Sequence, residues 1–76
     1  MKDNVIGQIN AAGTIFQLLR NEKKMLGLRW SYEIIIKVMI KGRIKNVWIA
    51  KGIDLDTATQ AFNEIANHNK TSVILY

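Results

Sequence analysis

Leu28-Arg29-Trp30-Ser31-Tyr32-Glu33-Ile34-Ile35-Ile36-Lys37-Val38-Met39-Ile40, then Lys41-Gly42, then Arg43-Ile44-Lys45-Asn46-Val47-Trp48-Ile49-Ala50-Lys51-Gly52-Ile53, is the stretch that decides the fold. From Leu26 to Ile40 every second residue is apolar or aromatic, the period of a strand with one buried face. Lys41-Gly42 reads as a turn, because Gly42 can take a positive φ without a steric penalty. A two-residue loop sets Ile40 against Arg43, Ile36 against Val47, Ile34 against Ile49 and Ile35 against Trp48. Apolar then meets apolar on both faces. The stretch is a β-hairpin, 28–40 with 43–53.

Downstream, Gly52-Ile53-Asp54 closes the strand and opens a helix. Asp54 is a good N-cap and Asp56 suits the positive end of the helix dipole. Leu55, Ala58, Phe62 and Ile65 recur at spacings of three and four, so the helix, 54–68, is amphipathic. Asn67-His68-Asn69 marks its end, with Asn as a left-handed stop. Residues 71–76 form a closing strand, and a right-handed crossover makes it parallel to 43–53.

Upstream, Val5, Ile9, Ala12, Phe16 and Leu19 fall on one helical face, which predicts a helix over 4–21 capped by Asp3 or Asn4. Gly7 and Gly13 count against it, each costing about 1 kcal/mol relative to Ala in a helix. The rival reading breaks the chain at Ala11-Ala12-Gly13 and makes Thr14–Leu19 a strand. Arg20–Lys24 is a charged connection. The expected fold is α+β, a single domain over 1–76 in the order α-β-β-α-β with a three-stranded mixed sheet. The alternative is β-β-β-α-β.

The chain has 76 residues, no Cys, no Pro and one His. Disulfides and thiolate metal sites are excluded. At 49% apolar the chain is too hydrophobic for disorder, and no apolar run reaches the roughly 18 residues of a membrane span. Met1-Lys2-Asp3-Asn4 does not open a signal peptide, so the expected location is cytoplasmic, with no membrane partner. Abundant Ile, Lys and Asn suit an AT-rich genome such as that of a phage or mobile element.

No catalytic constellation emerges. His68 lies between two Asn residues at a helix end, where it favours the negative pole of the dipole. Asp54, Asp56 and Glu64 lack the spacing of a calcium loop and read as helix capping. Glu33 reads as a cross-strand partner of Lys51. Gly7 and Gly13 match no phosphate loop, and neither Ser31 nor Ser72 sits in a nucleophile elbow. Ile53–Phe62 is a generic strand-to-helix junction and carries no family signature. The expectation is a protein that is not an enzyme and takes no cofactor or metal.

Charge is the best functional feature. The net charge is +5, residues 20–51 carry +7, and residues 52–69 carry −3. Lys41, Arg43 and Lys45 cluster at the hairpin tip, while Arg20, Lys23 and Lys24 precede the long strand. These six are the candidate nucleic-acid contacts, since Lys and Arg on phosphates release counterions and Trp30, Tyr32 or Trp48 can stack on unpaired bases. Ile35, Met39, Ile44 and Trp48 make the second face of the hairpin apolar and are candidates for a protein interface. Two functions follow. One is a small basic nucleic-acid-binding or regulatory protein. The other is a protein-interaction module, an inhibitor or accessory factor that meets an acidic partner or pairs with itself as a homodimer.

Overall fold

The computed structural model describes residues 4–76, and for residues 24–26 it describes the backbone only. Four strands run in succession, β1 (Val5–Ala11), β2 (Thr14–Leu26), β3 (Arg29–Ile40) and β4 (Arg43–Ile53). They are followed by one helix, α1 (Leu55–His68), and a short strand, β5 (Ile74–Leu75). The sheet has five strands in the order β4-β3-β2-β1-β5, and every pairing is antiparallel. The expected three-stranded α-β-β-α-β layout is therefore wrong. The β-β-β-α-β alternative is also one strand short.

The largest correction is at residues 4–21. They form a hairpin, because Ala12 and Gly13 both adopt positive φ, 37° and 83°, as the mirror-image two-residue turn requires. That turn resets the parity of the apolar residues. Ile9 pairs with Phe16 and Gly7 with Leu18, so the period is two, and the apparent helical spacing spans two strands. Asp3, the candidate cap, lies outside the described residues. Arg20–Lys24 belongs to β2, where the pairing with β3 slips between Asn21 and Met25. Leu28 sits in the Gly27-Leu28 turn, with Gly27 at φ 66°, and is 99% exposed.

The central hairpin follows its expected register at Ile40–Arg43, Ile36–Val47 and Ile35–Trp48. Ile34, however, pairs with Ala50 instead of Ile49, because the register shifts on both sides of Ile34. Such bulges insert an unpaired residue and bend the strand.

One face of the sheet is covered. Ile9, Leu18, Tyr32 and Ile34 form the core with Ala58, Phe62 and Ala66 of α1. The alanines let the helix approach the sheet, and Phe62 fills the space above Gly7. A Cβ at Gly7 would stand 3.3 Å from Phe62 Cε2. Asp54 caps α1, accepting from the Thr57 N–H at 3.2 Å. At the other end Asn69 donates to the Ile65 carbonyl from both its backbone N–H, at 3.1 Å, and its side chain, at 2.8 Å. The left-handed residue is Lys70, φ 53°, rather than an Asn. Beginning beside β4, the helix carries the chain to the opposite edge, where Gly7 pairs with Leu75 and Gln8 with Ile74. The closing strand is thus two residues long and antiparallel to β1, not parallel to β4.

Candidate nucleic-acid interface

Among the described residues no helix covers the other face. Alternation from β1 to β4 places Gln8, Gln17, Ile35 and Trp48 in one row across it. Gln17 donates to Gln8 Oε1 at 3.1 Å, and so does the Tyr76 hydroxyl at 3.0 Å. Gln8 in turn donates to Asn10 at 2.8 Å. Nearer the tip, the Lys37 ammonium donates to Asn46 Oδ1 at 3.1 Å. Ile35 is only 4% exposed although no helix lies over it, whereas Trp48 beside it is 47% exposed.

The hairpin projects beyond the helix-covered core, and residues 39–49 are exposed throughout. Between Ile34 and Ile53 the chain holds Lys37, Lys41, Arg43, Lys45 and Lys51 and no acidic residue. Strand parity points Arg43 and Lys45 to the helix side and Lys37 to the open side, with Lys41 in the turn at φ 51°. The three tip cations of the sequence reading are therefore brought together, but around the hairpin and not on one face.

Arg20 and Lys23 do not join them. Arg20 pairs with Tyr32 and Arg43 with Ile40, so the two clusters lie about 26 Å apart along β3 at about 3.3 Å per residue. The Arg20 guanidinium is also occupied, hydrogen-bonded to Glu22 and held 5.2 Å from the centroid of the Trp30 ring. The side chain of Lys24 lies outside the described residues.

The four interface candidates share the open face. Met39 and Ile44 are paired across the strands and are both well exposed. Ile35 is buried and Trp48 half-exposed.

Sequence reasoning missed the cluster that holds Trp48. Its indole N–H donates to Glu33 Oε1 at 3.0 Å, and Asn21 Nδ2 donates to Glu33 Oε2 at 2.7 Å. Lys51, the expected partner of Glu33, instead sets its ammonium 5.0 Å from the indole centroid, a cation–π distance. The signal was present in the register. Trp48 lies opposite Ile35, so Glu33 is its diagonal neighbour, within reach of a long side chain.

At the far end of the sheet, Asp54 is held below its ordinary carboxylate pKa, chiefly by hydrogen bonding from the Thr57 side chain and then its backbone N–H. Among the described residues no group of three His, Asp or Glu side chains converges as metal ligands would. Nor is any helix among them long and apolar enough to cross a membrane. The chain matches no protein-family model, and neither a curated protein nor a solved structure matches it.

Proposed function

We propose that the protein is a non-catalytic, cytoplasmic nucleic-acid-binding module that takes single strands on the projecting hairpin and the open sheet face beside it. The observation that carries this reading is the hairpin itself, five cations without an acid between Ile34 and Ile53, exposed over residues 39–49. A stretch with no carboxylate of its own to neutralise its lysines offers them to phosphates, with the salt dependence of counterion release. Half-exposed Trp48 adds a π-face, which any unpaired base can stack on but a base inside a duplex cannot.

Labelled single-stranded and duplex DNA and RNA, titrated at two salt concentrations, test the reading. Single strands are expected to bind more tightly than duplex, with a steep salt slope. Reversing Lys41, Arg43 and Lys45 to Glu should weaken binding to every sequence. It should also flatten the slope by about 2, at roughly 0.7 for each phosphate no longer neutralised. A triple variant that binds as well as the parent refutes the proposal.

A second reading rests on the Met39–Ile44 pair, paired across the strands on the open face and well exposed. Met and large apolar side chains at a surface suit a protein partner. In that reading the chain is an accessory factor or inhibitor of a phage or mobile element, or a homodimer. Light scattering of the purified protein separates one chain from two.

A further inference from the structure

The hairpin carries one carboxylate where a phosphate binder gains nothing from it. Glu33 is the only acidic residue between Arg29 and Ile53. With Asn21, Ser31, Lys51 and Gly52 it lines a polar cavity of about 330 Å³ on the open face, within the size range of small-ligand pockets. Trp48 is not among the residues that line it but is tied to Glu33 through the indole N–H.

The hydrogen bonds around Glu33 leave a defined pattern. Trp48 uses one position on Oε1 and Asn21 one on Oε2. A carboxylate accepts about four hydrogen bonds, so each oxygen retains one open position. Two acceptors side by side match two adjacent N–H donors on one planar edge. Among the common bases only guanine has such an edge, with N1–H beside the N2 amino group. Adenine and cytosine set a ring acceptor next to their amino group, and uracil and thymine flank one N–H with two carbonyls. Guanine also places its O6 acceptor next to N1–H, and the cavity supplies a donor there in Lys51, whose ammonium already lies over the indole.

We propose that this cavity is a guanine-reading subsite, with N1–H and N2–H of the base donating to Glu33 and its O6 accepting from Lys51. The proposal rests on the nucleic-acid reading above and makes it more specific. It requires an unpaired guanine, because the edge being read is the one used in base pairing.

Four labelled oligonucleotides of equal length, each of thymidines with one central guanine, inosine, adenine or no substitution, test it by fluorescence anisotropy at a single salt concentration. The guanine strand should bind about tenfold tighter than the all-thymidine strand, in the range of a good bidentate base contact. Inosine lacks the N2 amino group and should fall between them. Glu33→Gln keeps an acceptor for Trp48 and should bring the four affinities to within about twofold, without weakening the all-thymidine strand. The inosine comparison uses the unmodified protein, so it stands even if the variant folds poorly. Salt-sensitive binding with equal affinity for all four strands overturns the subsite and leaves the nucleic-acid reading intact. No binding to any strand at low salt overturns both.

Discussion

The two faces of the sheet are made by the same strands and do opposite work. On one, Ile9, Leu18 and Ile34 lie under Ala58, Phe62 and Ala66 and hold the fold together. On the other, Gln8, Gln17, Glu33 and Trp48 are tied to one another or to neighbouring polar groups, and the surface stays open. Alternation makes this division possible, since each residue added to a strand serves the opposite face from the one before it. In a small chain, where little surface is buried, stability and recognition are thereby separated along every strand.

Substitutions on the two faces sharpen this contrast. Phe62→Ala removes the largest fully buried side chain and should cost about 3–5 kcal/mol in urea unfolding. Gly7→Val drives a side chain into Phe62 and should cost about 1–3 kcal/mol by overpacking. Trp48→Ala, on the open face, should cost about 1 kcal/mol of stability or less, the scale of a cross-strand pair. The same change should lower single-strand affinity by about 1–3 kcal/mol. A loss of stability as large as that of Phe62→Ala would place Trp48 with the core and break the contrast.

The smallest effect is one of pH. Asp54 has a depressed folded-state pKa, so its contribution is present above the ordinary carboxylate pKa near 4 and fades as pH falls through the lower folded value. Thermal midpoints of the parent should therefore drop more steeply than those of Asp54→Asn as pH falls from about 5 to about 2. Parallel curves would remove Asp54 as the source.

Legibility in the sequence followed how locally each element is determined. The β3–β4 register was readable because Lys41-Gly42 fixes it and apolar residues pair on both faces. It failed at Ile34, where a bulge depends on the bend of the strand. The helix was readable because Asp54 caps it and its apolar spacing is unbroken. Residues 4–21 misled because Val5 and Ile9 before the turn and Ala12 within it continue into Phe16 and Leu19 after it at helical intervals. The partner of β5 had no local signal, since it depends on where α1 ends above a sheet of unknown width. For the site, the cations of the tip could be read off the sequence. Their separation from Arg20 needed the β2–β3 register, and the role of Glu33 needed its hydrogen bonds.

The order of the strands also sets the order in which the molecule can assemble. β1 to β4 are joined by three two-residue turns, Ala12-Gly13, Gly27-Leu28 and Lys41-Gly42, so most of the sheet grows from neighbour to neighbour with small loop-closure costs. The pairing of β5 with β1 is different in kind, joining Gly7 to Leu75 only after α1 has docked. It spans nearly the whole chain with the fewest ladder bonds. The last seam to close should be the first to open, with the Tyr76 amide, bonded to the Ile6 carbonyl at 3.2 Å, exchanging its proton well before the amides of β2 and β3.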